Sequence, residues 1–151
     1  LNGLWTQLKL GRKAKGMTKQ RKPSQYDWQA RDITDWNANT FLAFIGDKTK
    51  ELYGVDYAPG GQGAKSGRWS RERGMLKQAI GKYGNAVLKR FIEICWREYR
   101  TNKPDQFPYP SWTFMYSYMD RYFPQAQSEV ARENRRKKVD EVDYEELADW
   151  L

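Results

Sequence analysis

The sequence contains no histidine. This removes Ser-His-Asp and Cys-His catalysis and every metal site that depends on an imidazole. Cysteine is reduced to Cys95 alone, so no disulfide can close within the chain, and a reducing, cytoplasmic setting is expected, in a bacterial or phage-infected cell or, in a eukaryote, the nucleus. No apolar run approaches the roughly 18 residues of a membrane-crossing helix, so no membrane partner is expected. Apolar residues are scarce in general, at 39% of the 151 positions, and the mean hydropathy is −0.98. Such a chain suits one small core with long polar appendages. Leu1 is not a methionine, and a targeting segment upstream stays open.

Phosphate-loop and calcium-loop motifs are missing as well. Gly61-Gln62-Gly63 lacks the Gly-Lys-Ser/Thr ending and a strand before it, and no D-x-D-x-D-G pattern occurs. A two-metal nuclease needs several carboxylates converging on one site. Asp32, Asp35, Asp47, Glu51 and Asp56 are the group available for that, and capping and solvated faces explain them better. No enzyme activity, cofactor or metal is therefore expected.

Rings and positive charge are abundant. Aromatics make up 15% of the chain, with seven Trp and ten Tyr, and the formal net charge is +8. A basic protein favours polyanions, nucleic acid first and anionic membrane second. Residues 1–25 hold Lys9, Arg12, Lys13, Lys15, Lys19, Arg21 and Lys22 and no acid. They read as a flexible basic arm, laid on phosphates or serving as a solubilising tail or a nuclear or nucleolar address.

The stretch Ser66–Arg100 has the clearest periodicity. Met75, Leu76, Ala79, Ile80 and Tyr83 recur at helical spacing, with Ser70 as a candidate cap. After Gly84 a second helix carries Leu88, Phe91, Ile92, Cys95 and Tyr99 on one stripe, widened by Val87, Ile94 and Trp96, with Asn85 as its candidate cap. Cys95 reads as a small buried hydrophobe. Arg68, Arg71 and Arg73, with Trp69 and Lys77, sit where a glycine-rich loop meets a helix start, a place that suits phosphate contact. Lys89 and Arg90 could reach a groove in a helix-turn-helix reading. The spacing from Ala79 to Gly84 is one residue too long for that motif, and a plain antiparallel helix pair shares its signals.

Before this pair, Thr34 or Asp35 is a candidate cap for a helix to about Tyr53, with Phe41, Leu42, Ile45 and Leu52 on one face and Gly54 as its stop. After it, the three prolines of 101–110 make a loop. Trp112, Met115, Tyr116, Met119 and Phe123 then form a helical stripe that Pro124 should end. Phe114, Tyr118 and Tyr122 fall off that stripe and must face a second neighbour, solvent or a ligand.

The chain closes on a segment with six acids from Asp140 to Asp149 and no base. Tyr144, Leu147, Trp150 and Leu151 are its anchors for a partner groove, and folding back onto the basic face is the competing reading. These four residues among acids resemble the acidic-hydrophobic tails with which single-strand-binding and clamp-associated proteins recruit partners. More widely, Trp36 and Phe41, the Glu72–Gly84 helix and the Tyr109–Phe123 segment resemble small bacteriophage replication or transcription accessory proteins. That resemblance implies DNA binding and recruitment of a helicase, polymerase or clamp.

The expected fold is therefore all-α. A compact bundle of about four helices over 26–124 follows the basic arm 1–25 and precedes a charged tail, 125–151. The expected function is a non-enzymatic nucleic-acid-binding accessory protein, DNA ahead of RNA, that recruits a replication or transcription component. A protein–protein adaptor or inhibitor acting on such a machine is the alternative.

Overall fold

The computed structural model describes residues 21–150. Its described residues form helices and no strand, so the chain is all-α. Among the described residues there are five α-helices: α1 (Ala38–Tyr53), α2 (Lys65–Tyr83), α3 (Asn85–Glu98), α4 (Trp112–Tyr118) and α5 (Phe123–Trp150). Short 3-10 turns at Ile33–Asp35 and Asp120–Tyr122 precede α1 and α5. No described helix is long and apolar enough to cross a membrane.

The starts of helices are where the expectations shift. The α1 cap is Asn37, not Thr34 or Asp35: its side chain accepts from Thr40 N at 3.0 Å while Thr40 Oγ1 accepts from Asn37 N at 3.2 Å. That reciprocal pair satisfies two N–H groups a helix start leaves open. Thr34 and Asp35 belong instead to the 3-10 turn capped by Asp32. The stop is Gly54, as expected, with φ +72°. Phe41, Leu42, Phe44 and Ile45 are buried, but Leu52 is half exposed and Thr49 takes the inward position.

Helix α2 begins at Lys65, five residues before Ser70, and has no side-chain cap. Gly84 ends it at φ +83° and opens α3 directly. Asn85 is the first residue of α3, not its cap. Its amide donates to Ile33 O at 2.8 Å and Trp36 O at 2.9 Å, tying the 3-10 turn to the bundle. The wide apolar stripe of α3 is buried from Leu88 to Trp96, with Cys95 inside it. Burial pushes the Cys95 thiol well above its ordinary pKa.

The expected fourth helix is short. It ends at Tyr118, and Pro124 does not stop a helix but lies in the first turn of α5. There a missing N–H costs nothing, because no intrahelical acceptor waits for it. Phe123, at this junction, is clamped between two rings, 3.6 Å from Phe91 and 3.8 Å from Tyr83, both nearly parallel to it. With Ala126 it roots α5 in the core. Helix α5 is continuous through 124/125, so the charged residues expected as a tail extend a helix that starts in the bundle.

A second ring cluster fastens the lead-in. Trp28, Trp36, Phe41 and Phe44 pack at centroid distances from 5.0 to 6.2 Å. Trp28 Nε1 donates to Asp47 at 2.8 Å and Trp36 Nε1 to Arg31 O at 3.0 Å, so each indole buries its body and keeps its polar edge paired.

Candidate functional site

Between α1 and α2 the chain turns through Val55–Ala64, using positive φ at Gly61 (+91°) and Gly63 (+103°). Glu72 of α2, which is fully buried, ties this loop to the start of α4. Tyr57 Oη donates to Glu72 Oε1 at 2.5 Å; Oε2 accepts from Gly60 N at 3.1 Å, Thr113 N at 2.9 Å and Thr113 Oγ1 at 2.7 Å. Tyr57 Oη in turn accepts from Trp112 N at 2.8 Å, and the Ser111 side chain accepts from Phe114 N at 3.1 Å. The first three N–H groups of α4 are thus all satisfied, two of them by residues more than forty positions away. A carboxylate placed at a helix start is also favoured by the helix dipole. Burial, and next the Glu72 charge beside it, raise the Tyr57 pKa well above the usual 10. At Gly60 the backbone passes so close to Ser111 that a side chain has no room.

This knot shapes a cleft of about 1080 Å³. One wall is Ala58–Gly61 with Arg68 of α2. The other is the 99–109 loop, and α4 supplies the floor with Ser111, Thr113, Phe114, Ser117 and Tyr118. Tyr109 staples the two walls, since its Oη accepts from Ala58 N at 2.8 Å, and Tyr99 Oη donates to Phe107 O at 2.9 Å. Phe107, Phe114 and Tyr118 are exposed. Tyr99 meets Phe114 edge-on at 5.8 Å, and Phe114 leans on Tyr118 at 5.2 Å. The lining carries two guanidiniums, Arg68 and Arg100, and no carboxylate. Arg68 Nη1 donates to Pro59 O at 3.1 Å and its Nε is buried, which leaves Nη2 as the spare donor among the described contacts; Arg100 Nη1 donates to Arg97 O at 2.9 Å and Tyr99 O at 2.8 Å. Exposed ring faces, fixed guanidiniums and neutral hydroxyls and amides can stack a planar ligand and neutralise an anion. No nucleophile–base pair lines the cleft, and among the described residues no His, Cys, Asp or Glu cluster could hold a metal ion.

Of the described residues singled out from the sequence for nucleic-acid or partner binding, Arg68 alone lines this cleft. Lys9, Arg12, Lys13, Lys15, Lys19, Leu151 and the side chain of Tyr144 lie outside the described residues. Arg21 is exposed, and Lys22 pairs with Asp35 at 3.2 Å. Of the 68–73 cluster only Arg68 lines the cleft. Trp69 is half-buried against Tyr57, with 5.8 Å between ring centroids. Arg71 Nη2 donates to Gln62 O at 3.0 Å and Arg73 Nε to Asn39 at 2.8 Å, while Lys77 is exposed.

On α3, Lys89 lies 5.7 Å from the centroids of both Trp36 and Phe44, and Arg90 pairs with Glu93, Glu129 and Glu133. With Asn85 also engaged, the polar start of α3 is committed to the bundle. Leu147 and Trp150 are exposed, and Trp150 is 88% so.

Glu72, Arg100, Phe107, Phe114 and Tyr118 complete the site, and Arg100, Phe114 and Tyr118 carried a trace in the sequence. The two α4 aromatics fall off the core stripe, and Arg100 closes the basic Ser66–Arg100 stretch two residues past the end of α3. Glu72 falls four residues before Leu76 on the α2 core stripe, where its flanking arginines disguise it as surface. Comparison with known protein families, curated proteins and solved structures returned no match to this chain.

Proposed function

We propose that the protein is a non-enzymatic nucleic-acid-binding accessory protein whose cleft receives a single-stranded segment. The observation that carries this reading is the carboxylate-free cleft of exposed rings and two guanidiniums in a chain of net charge +8. Single-strand sites combine such features: bases stack on aromatic faces while arginines follow the phosphates. Here Phe107, Phe114 and Tyr118 offer the faces and Arg68 and Arg100 the charge. The basic arm, with Arg71, Arg73 and Lys77, extends the phosphate contacts, DNA ahead of RNA. The acidic end of α5, with Leu147 and Trp150 exposed, is the element that recruits a replication or transcription component.

Fluorescence anisotropy with labelled single-stranded and duplex oligonucleotides tests the reading. Single strands should bind more tightly, with affinity falling steeply as salt rises. Tyr118→Ala should weaken single-strand binding by about 5- to 150-fold, the value of roughly 1–3 kcal/mol per stacked base. No binding at low salt, or a flat salt response, overturns it.

One observation favours the adaptor reading: the bare apolar residues of α5, Val139, Val142, Leu147 and Trp150. A pull-down of a protein partner that survives nuclease, with no shift of free oligonucleotide, decides for it.

A further inference from the structure

Beyond Glu133, α5 leaves the bundle. Every side chain described from Ala131 onward is exposed, and among the described residues no hydrogen bond or ion pair joins the stretch after Glu133 to the rest. Val139 is 58% and Val142 54% exposed. A lone helix of about 17 residues is marginal in water, because most helical stability comes from packing one face.

The sequence of this stretch states what the packing face is. Arg132, Arg135, Val139, Val142, Glu146 and Asp149 follow the alternating three-and-four spacing of a helix–helix seam. At 3.6 residues per turn they share one side of α5, opposite the side on which Ala126 is buried, and Arg132 at its edge borders the Arg90–Glu129–Glu133 cluster. The series is also its own complement. A two-fold axis between Asp140 and Glu141 sets Val139 against Val142, Arg135 against Glu146 and Arg132 against Asp149, each pair occurring twice. A parallel pairing would instead stack each charge on its like.

We infer that the free half of α5 is a self-association element, and that its occupant is a second copy of this chain in antiparallel register. The contact is isologous, so it closes as a dimer and does not propagate. Its core is two valine layers flanked by ion pairs, so association depends on concentration and weakens with salt. Leu147 lies about 80° round the helix from Val139, off the seam and open to the recruiting role. The inference is independent of the nucleic-acid reading.

Sedimentation velocity on the full, nuclease-treated chain tests it across a concentration series at low and high salt. The chain should pass from monomer to dimer, and high salt should shift it back. Arg135→Glu and Glu146→Arg should each weaken the dimer at least tenfold, since each sets like charges in two layers. An equimolar mixture of the two variants should dimerise again, because each reversed charge then faces its opposite across the seam. Helix content by circular dichroism confirms that monomeric variants stay folded. A chain that is monomeric throughout, leaving the face to a foreign protein, overturns the inference. So does a dimer that neither reversal affects, or a mixture that stays monomeric.

Discussion

Removing the Glu72 carboxylate should undo the loop and the cleft together. Four donors converge on it, from Tyr57, from Gly60 N and from both the backbone and the hydroxyl of Thr113. In Glu72→Gln the shape survives, but charge-assisted bonds become neutral ones of about half the strength. The new amide also points a donor at Tyr57 Oη, which already accepts from Trp112 N. The expected loss is about 2 kcal/mol. Glu72→Ala strands two backbone N–H groups and the Tyr57 hydroxyl, at roughly 1–3 kcal/mol each where water cannot enter. Its expected loss is about 4 kcal/mol, a large part of the roughly 5–15 kcal/mol that holds a small domain. Urea unfolding followed by tryptophan fluorescence measures both variants. Hydrogen exchange adds a local readout: amides of 57–63 and 112–118 should lose protection in Glu72→Gln while α3 keeps its own. An Ala variant within about 0.5 kcal/mol of the parent would refute the assignment of Glu72 as the organising group. So would an exchange pattern that is uniform across the chain.

Other consequences follow from the same contacts. Tyr57 has a raised pKa in the folded state, so its share of stability is complete below pH 10 and is lost as pH climbs through the folded value. Tyr57→Phe should therefore be weaker at pH 7, by about 1–3 kcal/mol for the stranded Trp112 N–H and lost Glu72 bond, yet flatter in unfolding titrations above pH 9. Phe123→Ala empties the slot between Tyr83 and Phe91 and should cost about 3–5 kcal/mol, with helical ellipticity falling as α5 detaches. Cys95 is buried and its thiol pKa is raised, so it should resist a disulfide reagent at pH 8 and react in urea. Gly60→Ala forces the loop off Ser111 and should cost about 1–3 kcal/mol by thermal melting.

How much of this was legible in the sequence depended on where each signal resides. Core faces were visible, because burial repeats with the helical period: Leu76, Leu88, Phe91, Ile92 and Cys95 all lie inside as their spacing requires. Helix starts were not, because a cap is a contact between a side chain and a backbone. Thr34, Asp35, Asn37 and Ser70 are equally eligible by type, and Asn37 wins through its reciprocal pair with Thr40. Pro124 misled for a related reason. The residue that ends one helix can open the next, and only the clamp on Phe123 decides which it does.

The site was harder still, since it is assembled across the chain. Glu72 acts at α4, about forty residues on, and no local pattern encodes that reach. Arg68 and Arg71 looked alike in the cluster, yet one lines the cleft while the other turns to Gln62. The free half of α5 is the reverse case. Its contacts are absent from the bundle, and its pairing code is wholly local: two valines, two arginines and two acids at seam spacing. A helix face whose charges cancel under its own two-fold rotation contains the description of its partner. Because of that symmetry, one reversed charge disturbs two layers and two complementary reversals repair both.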